Sequence, residues 1–239
     1  PDNAGGGIAI NHDTLPPCRW EVFFMSRAVI FANGELNPPY PDLAEYQPGD
    51  WFIAAGGGAR PCRNLGITPH YLIGDIDSLE SDDLNHLQAK GVQILRYSTH
   101  KNETDLELAL LYAVDLGVDQ IIVYAALGAR WDMTLANLML LTHPAFQDLE
   151  LSLVDGRQVI SLLREGRTLE LNGRSGDIVS LLPLSPEASG ITTQNLEYAL
   201  QDGTLTLGSP RGVSNVMLTD RCLIKLEHGY LAVIHLRTE

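Results

Sequence analysis

Two carboxylates stand two residues apart, directly after a short apolar segment. Tyr71-Leu72-Ile73 predicts a buried strand, and Gly74 separates it from Asp75 and Asp77. Ligand sites in α/β sheets lie beyond the carboxyl ends of the strands, and Mg²⁺ is commonly held by one or two carboxylates together with substrate phosphates. The pair therefore predicts a magnesium site. The alternative is a solvated turn on which Asp75 or Ser78 caps a helix.

Two other predicted strands are followed by residues suited to a phosphate. Gly56–Gly58 comes after the strand at Trp51–Ala55, and glycine lets backbone N–H groups approach a phosphate closely. A flexible turn is the alternative for this segment. Asn33 follows the first apolar strand, and we expect its loop to close one side of the same cleft. Asn33 and Gly57 are therefore candidate phosphate contacts.

Charged residues mark the starts of two predicted helices. Lys101, Thr104 and Asp105 stand where a loop meets a helix; Asp105 is a candidate third metal ligand and Lys101 a candidate phosphate contact. Thr104 or Asp105 could equally cap that helix. Arg130 and Asp132 follow a strongly apolar strand, at a helix start that favours anions. Arg130 suits a phosphate oxygen, and its alternative role is a surface ion pair with Asp132.

Polar and aromatic residues also mix in two segments of the second half of the chain. They include Tyr198 in the segment 191–200, and Ser214 and Asn215 in the segment 211–215. From the residues alone, Tyr198 is interpreted as a packed strand aromatic and Ser214-Asn215 as a turn. The histidines show no metal-ligand spacing, and Ser78 and Ser214 lack a nucleophile motif, which argues against a Ser-His-Asp hydrolase.

The elements that would position these residues fall into two halves. In the first half, helical spacing at 106–114 and 135–142 separates apolar segments typical of strands, and the second helix should stop at His143-Pro144. Alternating strands and helices predict a Rossmann-like, largely parallel sheet with helices on both faces. The expected strands are Ala28–Ala32, Trp51–Ala55, Tyr71–Ile73, Val92–Leu95, Ile121–Ala126 and Leu151–Val154.

The second half has short apolar segments separated by turn residues, a rhythm that predicts an antiparallel β-sandwich. We therefore expect an α/β domain at 27–155, a β-sandwich domain at 156–239 and an N-terminal extension at 1–26. The expected strands are Val159–Leu163, Thr168–Leu171, Ile178–Leu182, Gly190–Thr193, Leu196–Leu200, Thr204–Leu207, Leu223–Leu226 and Leu231–Leu236.

Composition narrows the classes of partner. The chain of 239 residues has a formal net charge of −14, which argues against binding of nucleic acid and of anionic membranes. Its three cysteines are scattered, without a zinc or disulfide pattern, which favours a reduced, cytoplasmic setting. No apolar segment approaches the roughly 20 residues of a membrane span, and the Gly-rich start does not resemble a signal peptide.

The order and spacing of these segments resemble the thiamine pyrophosphokinase family over nearly the whole chain from about Ala28. The resemblance implies an α/β catalytic domain followed by a β-sandwich, in a homodimer with active sites between subunits. It also implies transfer of a pyrophosphoryl group from ATP to the hydroxyl of thiamine, which gives thiamine diphosphate and AMP. It rests on the segments 32–35, 57–59, 74–78, 104–105, 128–132, 135–137, 191–198 and 214–215.

The same resemblance implies a role for each candidate residue. Asp75, Asp77 and Asp105 would hold Mg²⁺ against the triphosphate, and with Asp132 they would form the catalytic set. ATP and its phosphates would be contacted by Asn33, Gly57, Lys101, Thr104 and Arg130. Thiamine would be contacted by Asp132, Tyr198, Ser214 and Asn215, with Tyr198 at the position of an aromatic residue, commonly Trp, that stacks on the pyrimidine ring, across the dimer.

Three residues depart from the family pattern. One is Tyr198 in place of the commoner Trp, and the other two motivate the alternative of impaired catalysis. Gly56 stands where the family usually has an acid, and Met133 stands where bacterial members commonly have histidine. A thiamine- or nucleotide-binding homologue with impaired catalysis is therefore the first alternative. A pyrophosphokinase for another alcohol acceptor is the second.

Overall fold

The first half of the chain forms a parallel sheet flanked by helices. The computed structural model describes residues 26–75, 81–128 and 130–238; the predicted N-terminal extension lies outside them except for Ser26. The strands are β1 (Arg27–Phe31), β2 (Trp51–Ala55), β3 (Tyr71–Gly74), β4 (Gln93–Arg96), β5 (Gln120–Tyr124) and β6 (Glu150–Asp155). The helices are α1 (Ala59–Asn64), α2 (Ser81–Ala89), α3 (Asp105–Asp115) and α4 (Trp131–Leu140).

Alternation along β1 shows that both faces of this sheet are covered. Ile30 packs in one apolar cluster with α3, whereas Val29 and Phe31 pack in another with Cys62 of α1 and Leu84 of α2. Successive side chains of a strand point to opposite faces. Helices therefore lie on both sides, as the sequence predicts.

The strand order places the carboxyl end of β1 at a topological switch. The parallel strands run β4-β3-β2-β1-β5-β6, so the chain moves outward from β1 in one direction and, after β4, continues on the other side at β5. Crevices at such a reversal are the usual ligand sites of open α/β sheets. The loops after β1 and β5 are therefore the first place to look for function.

The second half continues the same sheet and adds a second one. Its strands are β7 (Gln158–Arg164), β8 (Thr168–Asn172), β9 (Ile178–Pro183), β10 (Glu187–Gln194), β11 (Gly203–Thr206), β12 (Asn215–Val216), β13 (Arg221–Lys225) and β14 (Tyr230–Leu236). The ten-stranded sheet runs on as β6-β7-β14-β9-β12, and the four-stranded sheet has the order β11-β10-β13-β8. Buried residues of both, such as Val233 and Ile224, share one core, which confirms the predicted antiparallel sandwich.

Three local expectations were wrong. Leu196–Leu200 is not a strand: Leu196 forms one isolated bridge with Met217, because Asn195 has a positive φ of 60° that turns the chain. Asn215, expected in a turn, begins β12. Helix α4 ends at Leu140, before His143, which instead caps a short 3₁₀ turn at Pro144–Phe146.

A buried carboxylate ties the end of the chain to the sandwich. Asp177 is 1% exposed and accepts hydrogen bonds from the backbone N–H groups of Thr238 and Arg174, at 2.8 and 3.0 Å. Its Oδ2 lies 2.9 Å from His235 Nε2. Burial alone would raise the pKa of Asp177, but these hydrogen bonds favour the charged form and lower the pKa to about 2.

Among the described residues, no helix is both long and apolar enough to cross a bilayer.

Candidate active site

The loops after β1 and β5 are joined by backbone hydrogen bonds at the switch point. Ala32 N–H donates to Tyr124 O at 2.9 Å, Gly34 N–H to Ala125 O at 2.6 Å, and Glu35 N–H to Leu127 O at 3.1 Å. Glycine is required at position 34, because a Cβ there would overlap the Ala125 carbonyl oxygen. The two loops therefore form one rigid rim rather than two independent ones.

Behind this rim lies a cavity of about 210 Å³. It brings together four of the predicted site residues, namely Asn33, Gly57, Asp105 and Arg130. The Asn33 side chain lies against Gly57, so closely that a Cβ at position 57 would overlap it. The predicted convergence of loops from β1, β2, β5 and the start of α3 is therefore present.

The two polar residues at the start of α3 have different tasks. Thr104 is the N-cap, and its Oγ1 accepts a hydrogen bond from Glu107 N–H at 3.1 Å. Asp105, the first helical residue, is free of capping and points its carboxylate toward β2 and β3. Its Oδ1 accepts a hydrogen bond from the backbone N–H of Asp75 at 3.2 Å.

Two glycines with positive φ make room for the Asp105 carboxylate. Gly56 has φ of 53° and Gly74 has φ of 140°. A Cβ built on either residue would overlap the Asp105 carboxyl group. The carboxylate of Asp105 therefore occupies the volume that a side chain at position 56 would take.

Lys101 is the charge partner of Asp105. Its Nζ forms an ion pair with Asp105 Oδ1, and the Lys101 side chain is 13% exposed against 29% for Asp105. The ammonium also lies 5.9 Å from the centre of the Tyr97 ring. The structure thus brings Lys101, predicted as a phosphate contact, to the carboxylate predicted as a metal ligand.

Only part of the predicted metal site can be located. Asp77 and Ser78 lie outside the described residues, and within the described ones no three His, Cys, Asp or Glu side chains gather as a metal site would require. The backbone N–H of Asp75 donates a hydrogen bond to the Asp105 carboxylate, so the two residues are neighbours. The described part therefore contains two of the three predicted ligands and locates the carboxylate of one of them, Asp105.

At the start of α4, Arg130 and Asp132 form a two-fold hydrogen-bonded pair. Arg130 Nε lies 3.1 Å from Asp132 Oδ1, and Nη2 lies 2.5 Å from Oδ2. Both side chains are exposed, at 71% and 63%. The hydrogen bond to Asp132 raises the pKa of Arg130, and the same bond lowers the pKa of Asp132. The predicted surface ion pair exists, and it stands on the rim of the cavity.

A second pocket, of about 320 Å³, lies in the sandwich half beside Tyr198, Arg211 and Asn215. Tyr198 is 67% exposed, so its interpretation as a packed strand aromatic was wrong. Ser214, with φ of 63°, donates its N–H to Ser180 Oγ at 3.0 Å. An accessible aromatic ring beside a pocket is a surface on which a flat ligand can stack.

Asn215 holds the Tyr198 backbone from both sides. Its Oδ1 accepts a hydrogen bond from Tyr198 N–H at 2.9 Å, and its Nδ2 donates to Tyr198 O at 2.8 Å. The same Oδ1 accepts from Val216 N–H at 2.9 Å. Asn215 is 8% exposed, so a buried side chain fixes the backbone at Tyr198.

Two family sequence patterns match this chain. The pattern described as thiamin pyrophosphokinase, catalytic domain, covers residues 45–153, and that described as thiamin pyrophosphokinase, vitamin B1 binding domain, covers residues 167–231. The chain belongs to the thiamine pyrophosphokinase family. Formation of thiamine diphosphate is the function of this family of enzymes.

Individual thiamine pyrophosphokinases agree with this assignment. The Bacillus subtilis enzyme is 27% identical over 206 residues, which cover 86% of this chain and 96% of the relative. Thiamine pyrophosphokinase 1 of Arabidopsis thaliana is 24% identical over 242 residues, covering 96% and 86%. The crystal structure of the Bacillus subtilis enzyme matches the fold with a TM-score of 0.78 at 24% identity, covering 90% of this chain and all of that one (100%).

One residue of the cavity received no role from the sequence, although its segment contributed to the likeness to thiamine pyrophosphokinases. Asn137 on α4 lines the cavity, is 5% exposed and donates Nδ2–H to Ala126 O at 2.6 Å. The available signal was a polar side chain on the buried face of a helix. The helical spacing noted at 135–142 begins instead with Leu135, which is 51% exposed.

Proposed function

We propose that the protein is a Mg²⁺-dependent thiamine pyrophosphokinase that transfers the pyrophosphoryl group of ATP to the hydroxyl of thiamine and releases AMP. The observation that carries the proposal is the cavity at the switch point, where Asn33, Gly57, Asp105 and Arg130 converge. Glycine backbone, an amide, a carboxylate and a guanidinium together suit a polyphosphate with its cation. Family membership supplies the acceptor, thiamine.

The phosphates of ATP lie between the loop after β2 and the start of α4. Gly57 lines the cavity with the Asn33 side chain packed against it, and Arg130 at the start of α4 adds a positive charge. Lys101, one turn before Asp105, contacts a phosphate oxygen from the opposite side. Thr104 contributes by fixing the start of α3, since its hydroxyl is engaged with Glu107 N–H.

Asp75, Asp77 and Asp105 are the proposed Mg²⁺ ligands. Carboxylate oxygens are the hard ligands that Mg²⁺ prefers, and the glycines at 56 and 74 leave the Asp105 carboxylate room in its cradle. When bound, the ion would neutralise the negative charge that develops on the phosphate oxygens during transfer of the pyrophosphoryl group. The filled volume at Gly56 supports an intact site over the alternative of impaired catalysis.

Thiamine binds at the pocket beside Tyr198, Ser214 and Asn215, with its cationic ring system against the phenol ring. Asp132 accepts a hydrogen bond from the thiamine hydroxyl; its pKa is lowered first by the hydrogen bond from Arg130, so it is ionised at neutral pH. The hydroxyl oxygen attacks the β-phosphorus and its proton is released through Asp132 to solvent; the bond from that phosphorus to the α,β-bridging oxygen breaks, and AMP leaves with the bonding electron pair. Asp132 and Arg130 act chiefly by positioning these groups.

We also propose a cytoplasmic homodimer in which residues 27–155 carry the ATP and Mg²⁺ site and residues 156–239 the thiamine site. An apolar stripe on α4 supports the dimer: Trp131, Leu135 and Met139 recur every four residues and are 81%, 51% and 62% exposed. The stripe begins beside Arg130, so a second subunit seated there would reach the site. Neither nucleic acid nor a membrane is an expected partner of a chain with a net charge of −14.

The test is AMP formation by the purified protein with ATP, thiamine and Mg²⁺. AMP should appear only with thiamine present, stop on chelation of the metal and return when Mg²⁺ is restored. The Asp77→Asn variant should lose activity and keep the wild-type melting temperature. Thiamine-independent AMP, or none at all, would refute the proposal; tight thiamine binding without turnover would favour the impaired homologue.

A further inference from the structure

The cavity at the switch point contains a buried acceptor whose partner is not in the described protein. Asn137 Oδ1 has no hydrogen-bond donor among the residues that the structure describes, although Asn137 is only 5% exposed. An unsatisfied buried oxygen is costly to the fold, and buried polar side chains are normally paired. Asn137 lines the cavity, so a molecule bound there can supply the missing donor.

The amide of Asn137 is fixed in one orientation by its other atom. Nδ2 donates to the backbone oxygen of Ala126 at 2.6 Å. If the amide were flipped, Oδ1 would face the Ala126 oxygen and two acceptors would repel each other. Oδ1 is therefore kept as the free end, and the cavity selects for a ligand that donates a hydrogen bond at this point.

Much of the cavity wall is apolar and suits a flat ring. Leu106, Ala126 and Met133 line the cavity together with Asn137. Its charged lining residues, Asp105 and Arg130, are the ones that the proposed function assigns to the cation and the phosphates. Small-molecule sites commonly combine apolar walls with a few polar groups that fix orientation. A heteroaromatic ring with an exocyclic amine satisfies both the walls and the acceptor.

We infer that Asn137 is a specificity-determining residue whose Oδ1 accepts a hydrogen bond from the exocyclic amine of a bound heteroaromatic substrate ring. The inference rests on the proposed function, in which ATP carries such an amine on adenine and its phosphates extend to Gly57 and Arg130 in the same cavity. Thiamine also carries such an amine, on its aminopyrimidine, but that ring is placed beside Tyr198. The position at the β1–β5 switch, where nucleotides usually bind, favours adenine.

Substrates with oxygen in place of the amine test the inference. Inosine triphosphate (ITP) replaces the adenine amine by a carbonyl oxygen, and the 4-oxo analogue of thiamine does the same on the pyrimidine. Wild-type kcat/KM should fall about tenfold or more for the analogue whose ring occupies the cavity, because two acceptors then face each other. A drop with ITP assigns the site to adenine, and a drop with the thiamine analogue assigns it to the pyrimidine.

Two variants separate recognition from structure. In Asn137→Leu the side chain has a similar shape but no acceptor. The ratio of kcat/KM for the amine substrate to kcat/KM for its oxo analogue should therefore fall to about one, whatever the loss of overall activity. Asn137→Asp presents an acceptor to the cavity in either protonation state and should keep the preference. Melting temperatures of both report damage to the fold, which would lower kcat/KM for both substrates alike without changing their ratio.

Failure of the inference differs from failure of the proposed function. If wild-type protein makes AMP with thiamine but treats each analogue like its parent, the inference is overturned and the function stands. If no thiamine-dependent AMP forms, titrations of the protein with ATP, ITP, thiamine and its 4-oxo analogue still decide the matter. The inference is supported if one analogue binds wild type more weakly than its parent and this difference disappears in Asn137→Leu. It is contradicted if ATP and ITP have equal Kd values and thiamine and its 4-oxo analogue do as well.

Discussion

Gly56→Ala should disable the protein through Asp105 rather than through the backbone alone. Gly56 has φ of 53°, and an added Cβ would overlap the Asp105 carboxylate, with the carboxyl carbon only 3.1 Å away. Gly66 provides a matched control: its φ is 71°, and a Cβ there has nothing within 4 Å. Comparison of the two alanine variants separates the cost of conformation from the displacement of the carboxylate.

The expected magnitudes follow from these two terms. A non-glycine residue in the left-handed region costs about 1–2 kcal/mol, which in a chain of this size lowers the melting temperature by about 2–8 °C in both variants. In Gly56→Ala, the Asp105 carboxylate must also retreat by about 1 Å to reach a normal contact distance of about 3.5 Å. Misplacement of that size can reduce catalysis about a hundredfold.

Thiamine-dependent AMP formation and thermal unfolding measure the two effects separately. Gly66→Ala should melt lower than wild type and keep its kcat/KM, whereas Gly56→Ala should melt lower and lose about two orders of magnitude. In a Mg²⁺ titration, the activity of Gly56→Ala should need a higher Mg²⁺ concentration to saturate than that of wild type. The activity of Gly66→Ala should saturate as in wild type. Equal activity of the two variants would refute the view that Gly56 exists to admit Asp105.

Three further perturbations address separate contacts. Thr104→Ala should cost about 1 kcal/mol through loss of the N-cap, seen as a lower melting temperature that Thr104→Ser largely restores. Asn215→Ala should raise the KM for thiamine about tenfold, because the backbone at Tyr198 is no longer held, and leave the KM for ATP unchanged. Tyr198→Trp should leave both KM values unchanged. An equal rise in the KM for ATP in Asn215→Ala would contradict this role. The pKa of Asp177 is lowered to about 2, so the ionised carboxylate stabilises the fold fully above pH ~4, and this stabilisation is lost as the pH falls toward 2. Over that pH interval the melting temperature of wild type should therefore fall more steeply than that of Asp177→Asn.

The fold was predictable because its signals are local and repeated. Apolar segments such as Ile121–Ala126, followed by helical spacing, indicated each parallel strand, and β5 was found at Gln120–Tyr124. The segment Leu196–Leu200 had a similar composition but follows a turn at Asn195, where φ is positive, and composition does not encode φ. The continuity of one sheet from β6 into β7 depends on long-range pairing, which no local pattern contains.

The candidate site was predictable as a set of positions but not as a set of contacts. Asn33, Gly57, Asp105 and Arg130 do meet in one cavity, because carboxyl ends of parallel strands share an edge. The choice between Thr104 and Asp105 as the cap required coordinates, since both types cap helices well. Asn137 was overlooked because its importance comes from one oxygen without a partner, which becomes visible only when the packing around it is known.

The antiparallel pairing of β6 with β7 has a consequence for any attempt to produce the halves separately. The division at residue 155 falls in the tight connection between these strands, where Asp155 pairs with Gln158. A fragment ending at 155 would present β6 as a bare edge, and one starting at 156 would do the same with β7. Unpaired edges recruit other chains, so each fragment is expected to aggregate unless the other is co-expressed to complete the sheet.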